Sequence, residues 1–256
     1  MVTKGDLVRG FKEIGIVEGM LIEVHSSLKS FGYVVGGAQS VVDALIEVIG
    51  YDGTIVMPLQ SGNNNEPSYW CRPPLDINLW KEQRDNMPSF NPRESDCGGM
   101  GRIADNFRRR QGAYFSYHPA SAFVAYGKYA KLICNQHELS YSLSETSPLG
   151  TMMRLNPYVL LLGVGYDNCT GMHLAEYESG VRPVVMQGGS IEEGGVRKWV
   201  KYLDIELDSD DFVESGFIME QKKLVNKQRI GKCDCKFFQL KPAIDITRQY
   251  LQKKYG

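Results

Sequence analysis

A histidine and two glutamates lie close together after an apolar segment in the second half of the chain. Residues 158–163 read Tyr-Val-Leu-Leu-Leu-Gly, which is typical of a buried strand that ends at a glycine. His173, Glu176 and Glu178 follow in the next segment. If this segment is helical, its spacing puts His173 and Glu176 on one face. A carboxylate that bonds one ring nitrogen leaves the other free to accept a proton, so this pair is typical of a general base.

Cys169 precedes His173 and gives the same segment a second interpretation. A Cys/His pair could form an acyl-enzyme, whereas a thiol among small residues more often only packs. His173 could also be a helix cap or a satisfied histidine beside a loop. Spacing alone leaves these alternatives open. The chain has six cysteines and no Cys-x-x-Cys pair, so we expect reduced thiols and no metal.

A second segment reads as a strand, a glycine-rich loop and a helix. The apolar strand from Met20 to Val24 leads into His25, a hydroxyl-rich stretch and the pair Gly36-Gly37, and an amphipathic helix closes at Gly50. Free amides at a helix start, with glycines that let a ligand approach, suit a phosphate. The loop is neither a dinucleotide fingerprint nor a P-loop. An ordinary tight turn is the alternative, and His25 could contact a ligand or be a capped core histidine.

Composition limits the classes of partner. The chain has 256 residues, of which 29 are Lys or Arg and 30 are Asp or Glu, with a net charge of -1. This balance disfavours nucleic acid and anionic membranes as partners. The longest apolar runs are far shorter than the roughly 20 residues of a membrane span, and the N-terminus lacks the apolar core of a signal peptide. We therefore expect a cytoplasmic protein.

The order of elements predicts the fold. Strand and helix patterns alternate up to residue 163, which indicates an α/β architecture, layered helix over sheet over helix, with a largely parallel central sheet. Beyond Gly180 the pattern changes to antiparallel strands, over about residues 181–240, and a final helix runs from Lys241 to Lys254. The long aromatic and proline-rich segment from Gln60 to Pro92 predicts an excursion over a cleft. We expect one domain over residues 1–256.

Several motifs together resemble the aminoglycoside 3-N-acetyltransferases, in order and spacing over nearly the whole chain. The motifs are Val24-His25-Ser26-Ser27-Leu28, Val35-Gly36-Gly37-Ala38-Gln39, Gly53-Thr54-Ile55-Val56-Met57-Pro58, His118-Pro119, Ser147-Pro148-Leu149, Leu160-Leu161-Leu162-Gly163-Val164-Gly165 and His173-Leu174-Ala175-Glu176-Tyr177. Each is weak alone, but the set is specific.

The resemblance implies an acetyl-CoA donor and an aminoglycoside amino group as acceptor. It makes His173 the base and Glu176 its orienting carboxylate. It also places CoA on the loop after the first strand, with the contact residues His25, Ser26, Ser27, Leu28, Val35, Gly36, Gly37 and Gln39. Another small amine as acceptor, or CoA binding without turnover, stays open as an alternative. Monomer and homodimer are equally open.

An acceptor with several ammonium groups needs a local concentration of carboxylates, because the net charge of the chain is near zero. Besides the glutamates near the base, the acidic helix start at residues 208–214 supplies candidates. We therefore predict acceptor contacts from Glu178, Asp211 and Glu214. The alternative is that the acids of the helix start only cap it.

Overall fold

The computed structural model describes residues 1–71 and 73–256, so Arg72 of the Gln60 to Pro92 excursion lies outside the described residues. The helices are α1 (Lys4–Glu13), α2 (Gly37–Ile49), α3 (Trp80–Asn86), α4 (Gly101–Arg108), α5 (Ala130–Cys134), α6 (Pro148–Met153), α7 (Leu174–Ser179), α8 (Phe212–Gln221) and α9 (Leu240–Tyr255). The strands are β1 (Leu21–Ser26), β2 (Thr54–Gln60), β3 (Tyr114–Phe115), β4 (Ser121–Gly127), β5 (Tyr158–Leu162), β6 (Val184–Glu193), β7 (Val196–Ile205), β8 (Asn226–Ile230) and β9 (Cys233–Gln239).

Seven strands form one sheet in the order β3-β4-β2-β1-β5-β9-β8, and β6 and β7 form a separate antiparallel hairpin. β1 is the centre of the large sheet and pairs in parallel with β2 and β5. β9 pairs antiparallel with β5, and β8 with β9. This mixed sheet confirms the predicted α/β class, with a parallel centre and antiparallel strands in the C-terminal part.

The pairing of β4 differs from the parallel alternation that we predict up to residue 163. β4 is antiparallel to β2, with Thr54 opposite Gly127, and antiparallel to β3. Only five residues, 116–120, connect β3 to β4. A parallel pair needs a crossover of about a dozen residues or more, so this connection permits only an antiparallel pair. The direction of β4 against β2 depends instead on the path of the long excursion between them. The parallel pairs are those of the three central strands.

Side chains of the strands alternate between two layers of core. On β1, Ile22 and Val24 pack on the side of α1, α2 and α4. Leu21 packs on the opposite side, against the layer that includes α5, α6, α7, α8 and α9. Because successive strand residues point to opposite faces, Glu23 and His25 share the second face with Leu21. Both are buried, so this central strand places two ionisable groups on a core face.

The excursion packs against the β6–β7 hairpin. The side-chain amide of Asn64 donates to the carbonyl of Ser190 at 3.1 Å and accepts from the Ser190 N–H at 2.8 Å. The guanidinium of Arg197 donates to the carbonyl of Met87 at 2.6 Å. These bonds anchor the predicted excursion, which contains α3, on the hairpin. Among the described residues, no helix is long and apolar enough to cross a membrane.

Candidate active site

A cleft of about 200 Å³ opens where β1 and β2 end. Its other walls are the start of α4 and the segment that follows β5. The lining residues are Val24, His25, Ser26, Pro58, Gln60, Gly99, Met100, Ala104, Val164, Asp167, Asn168, Thr170, His173 and Ser209. Ligands of open α/β sheets bind at the carboxyl ends of strands, which is where this cleft lies.

His173 and Glu176 form the pair that their spacing predicts. His173 ends a 3-10 helix (Thr170–His173) that leads directly into α7, and Glu176 lies in the first turn of α7. Nδ1 of His173 is 2.5 Å from Oε2 of Glu176. In the neutral imidazole whose Nδ1–H donates to this carboxylate, Nε2 keeps the lone pair. The edge of the imidazole packs against the ring of Phe212, with centroids 4.9 Å apart.

Glu176 is fully buried, and its second oxygen is also bonded. Oε1 accepts from Nε of Arg182 at 2.7 Å and from the N–H of Asp208 at 2.9 Å. A buried carboxylate is costly unless its charge is paired and its lone pairs are satisfied, and here both conditions hold. Arg182 and Asp208, which lie between α7 and α8, hold the Glu176 carboxylate in place, and Glu176 in turn orients the His173 ring.

Arg182 continues this network to Asp211. Its second guanidinium nitrogen donates to Oδ2 of Asp211 at 2.6 Å, and Lys254 donates to Oδ1 at 2.6 Å. The hydroxyl of Tyr255 lies 3.1 Å from Oδ2. Burial opposes ionisation of Asp211, but the bonds from Lys254, Arg182 and Tyr255 outweigh it and hold the pKa of Asp211 below its usual value. Asp211 is therefore an anion with both oxygens engaged.

The three acids predicted to contact the acceptor lie away from the cleft lining. Direct contact does not fit the geometry of Asp211, because its oxygens are saturated by cations of the chain itself. Glu178 is exposed and pairs with Arg248 at 3.2 Å, and Glu214 is exposed on α8. For Glu178 and Glu214, acceptor contact stays a prediction.

The cleft takes in only part of the predicted CoA loop. His25 and Ser26 line it, whereas Ser27, Leu28, Val35, Gly36, Gly37 and Gln39 lie outside its lining. Nε2 of His25 accepts from the N–H of Thr170 at 3.3 Å, so the histidine is tied to the segment that carries His173. α2 begins at Gly37, and its N-cap Gly36 is left-handed, with φ 79°. No side chain caps this helix start, but the N–H of Gly37 donates to the carbonyl of Val34 at 3.0 Å, so the amides left for an anion are those that follow Gly37.

Sequence reasoning missed two groups of the site. Asp167 is an exposed carboxylate in the cleft lining, and Arg182 is the cation between two buried acids. The strand end after β5 could have indicated Asp167, but nothing in the sequence pattern marks Arg182. Cys169 lies in the core rather than in the cleft lining, and burial raises the pKa of its thiol well above the usual value. This placement argues against Cys169 as a nucleophile that forms an acyl-enzyme.

Comparison with known proteins gives the same assignment as the motifs. The family model described as aminoglycoside 3-N-acetyltransferase matches residues 24–252. The chain is 38% identical over 249 residues to the SPbeta prophage-derived aminoglycoside N(3')-acetyltransferase-like protein YokD of Bacillus subtilis (strain 168), covering 97% of this chain and 92% of that protein. It is 34% identical to aminoglycoside N(3)-acetyltransferase VIII of Streptomyces fradiae, covering 80% of this chain and 72% of that protein.

The crystal structure of YokD from Bacillus subtilis superposes with a TM-score of 0.94 at 37% sequence identity and covers 99% of this chain and 100% of that chain. The matched region contains the β1 strand end, the segment after β5 and the His173–Glu176 pair. A family match over this length, together with relatives above 30% identity, identifies the chain. It belongs to the aminoglycoside 3-N-acetyltransferase family.

Proposed function

We propose that this protein transfers the acetyl group of acetyl-CoA to the 3-amino group of an aminoglycoside, with His173 as the general base. The observation that carries the proposal is the 2.5 Å bond between Nδ1 of His173 and Glu176, in a residue that lines the cleft. This bond leaves Nε2 as the proton acceptor.

The acceptor amine enters as an ammonium ion and cannot attack until it loses a proton. Nε2 of His173 takes that proton, and the nitrogen lone pair then attacks the carbonyl carbon of the thioester. The tetrahedral intermediate collapses by breaking the carbon–sulfur bond, and CoA leaves as a thiolate. The attacking nitrogen loses its second proton in this collapse, and that proton passes to the thiolate. Glu176 stabilises the imidazolium, which releases the first proton to solvent. The products are the amide, the CoA thiol and one proton.

The donor site follows from the helix start of α2. The amides that follow Gly37 at this uncapped helix start, with the left-handed Gly36, support a position for the CoA phosphates. His25 and Ser26 line the cleft that contains His173. We assign the thioester end to this cleft and the phosphates to the start of α2.

The acceptor site follows from acids beside the base. Asp167 lines the cleft and is exposed, and the exposed Asp210 follows Ser209, which also lines the cleft. Carboxylates at these positions suit a ligand that carries several ammonium groups. We assign Asp167 as an acceptor contact in addition to the predicted Glu178 and Glu214.

The test is release of the CoA thiol from acetyl-CoA, measured with the purified protein and a panel of aminoglycosides. We expect release that depends on the acceptor and a product acetylated at the 3-amino group, located by mass spectrometry and NMR. His173→Ala is the matched control. Acceptor-independent release alone would contradict the proposal, as would turnover only with simple polyamines. If CoA raises the melting temperature but no amine is acetylated, the protein binds CoA without turnover.

A further inference from the structure

Glu23 is a carboxylate at a core position of the central strand. It lies on β1 between Ile22 and Val24, and its side chain has 0% exposure. Neither of its oxygens has a hydrogen-bond partner among the described residues. Leaving a buried carboxylate without donors is costly, so the position calls for a cation or a proton.

Two further ligand-type side chains surround this carboxylate. Nε2 of His25 is 3.2 Å from Oε1 of Glu23, close enough for an ion pair but without hydrogen-bond geometry. Sγ of Cys169 completes the group: one ligand atom from each of the three residues lies within 4.8 Å of the others, and all three residues are buried.

The neighbouring backbone makes room for the Glu23 carboxylate. A Cβ atom at Gly171 would lie 2.3 Å from Oε2 of Glu23, so a larger residue there would displace the carboxylate. Cys169 directly precedes Thr170, whose N–H donates to Nε2 of His25 at 3.3 Å. β1 and the 3-10 helix that ends at His173 thus meet at this cluster.

We propose that Glu23, His25 and Cys169 form a binding site for a divalent transition-metal ion, with Zn²⁺ as the best match. Thiolate, imidazole and carboxylate are the three ligand types that zinc takes in proteins. With two anionic ligands and one neutral ligand, the site balances the charge of a dication. When the metal binds, the 3.3 Å hydrogen bond from the N–H of Thr170 to Nε2 of His25 breaks, and the Nε2 lone pair binds the metal instead.

The geometry needs only a modest contraction. Zinc bonds of about 2.0–2.3 Å in a tetrahedron place neighbouring ligand atoms roughly 3.3–3.6 Å apart. The Glu23–His25 pair, at 3.2 Å, is already close to this spacing, and the remaining donor atoms are at most 4.8 Å apart. His25 lines the cleft, so water can reach the fourth position from that side. When the Cys169 sulfur–metal bond forms, the thiol proton leaves to solvent.

Metal binding at this point would join β1 to the segment that carries His173. Cys169, the proposed thiolate ligand, directly precedes the 3-10 helix Thr170–His173. Binding should therefore raise the melting temperature, because the ion binds the folded state and not the dispersed ligands of the unfolded chain.

The test is a Co²⁺ titration of tag-free, reduced protein, because Co²⁺ occupies zinc sites and reports thiolate ligation by a charge-transfer band in the near ultraviolet. We expect one equivalent to bind, the band to appear, and Zn²⁺ to displace it. Cys169→Ser should remove the band. Glu23→Gln should weaken binding at least about tenfold, since even outer groups of metal sites contribute that much. Cys134→Ser, which changes another buried thiol on the same side of the sheet, should leave the charge-transfer band and the metal affinity unchanged.

Melting temperatures of all variants without metal show that each is folded. A wild-type titration with no thiolate band overturns the proposal, as does a band that survives in Cys169→Ser. In that case Glu23 is a protonated core carboxyl, and Glu23→Gln should then be neutral or stabilising. Acetyl transfer is measured separately, so the metal site and the proposed function can fail independently.

Discussion

The guanidinium of Arg182 bonds the Glu176 oxygen that His173 leaves free, at 2.7 Å. Each Glu176 oxygen thus has a distinct partner, the imidazole on one and the guanidinium on the other. The carboxylate cannot rotate away from His173 without breaking a buried ion pair. The position of the proposed base is therefore set by a residue outside the cleft lining.

His173→Ala should lower kcat by about 10²–10⁴, because a positioned acid or base typically contributes that much. Binding of acetyl-CoA should persist, measured as protection against heat. Glu176→Gln should lower kcat less, since the imidazole remains, but it should also lower the melting temperature because Arg182 loses a charged partner. A His173→Ala enzyme with near-normal turnover would remove this residue from the mechanism.

Arg182→Gln should lower the free energy of unfolding by about 3–5 kcal/mol, because it leaves two buried carboxylates without their shared cation. The measurement is urea unfolding. Arg248→Gln is the matched control: it breaks the partly exposed pair with Glu178 and should cost no more than about 1 kcal/mol. Equal losses of unfolding free energy in the two variants would show that the Arg182 network stabilises the fold no more than a partly exposed ion pair does.

Asp211→Asn should lower the melting temperature and kcat while the acceptor KM changes little, because both oxygens of Asp211 are engaged within the chain and one is bonded to Arg182. Glu214→Gln changes an exposed acid of the same helix start and should leave stability within about 0.5 kcal/mol. Steady-state kinetics and thermal unfolding separate the two roles. A raised acceptor KM with an unchanged melting temperature in Asp211→Asn would instead support direct contact between Asp211 and the acceptor.

Asp167→Asn should raise the acceptor KM and flatten its dependence on salt concentration. The exposed Asp167 carboxylate attracts the ammonium groups of the acceptor, and salt screens this attraction. The KM of acetyl-CoA and the melting temperature should stay nearly constant. Glu178→Gln, at an exposed acid outside the cleft lining, should raise the acceptor KM less and serves as the comparison. If only Glu178→Gln changes the acceptor KM, the acceptor lies along α7 instead.

Two buried histidines should make the protein sensitive to acid. Burial lowers the pKa of His118 to about 4, and burial together with His118 lowers that of His137 to about 3. Below the usual value of 6.5 the unfolded chain therefore binds protons that the folded protein does not. Stability conferred by the neutral rings is complete above pH 6.5 and is lost as pH falls towards the folded pKa values.

The measurement is urea unfolding between pH 6.5 and about 5, above the ordinary range of carboxyl groups. His137→Gln should reduce the slope by up to about 1.4 kcal/mol per pH unit, the value of one proton. The slope is the readout, so the bonds that His137 loses to Ser116 and Ser142 do not obscure it. Parallel curves for the variant and the wild type would contradict neutral burial of His137.

The sequence by itself determined the local features of this protein. Periodicity and glycines mark β1, α2 and β5, and the spacing of His173 and Glu176 requires only one turn of backbone to bring them together. Helical spacing is a short-range property, so the pair could be predicted without the fold. The same holds for the α/β class, which follows from the alternation of elements.

Tertiary structure decided the features that depend on distant segments. Arg182 reaches Glu176 and Asp211 only because the chain before β6 packs against α8 and α9. Glu23 reads as part of an apolar strand, and its meeting with Cys169 depends on how the segment after β5 folds back over β1. The antiparallel direction of β4 depends on the path of the long excursion. Side-chain periodicity reports which face a residue occupies, but not which distant residue lies opposite it.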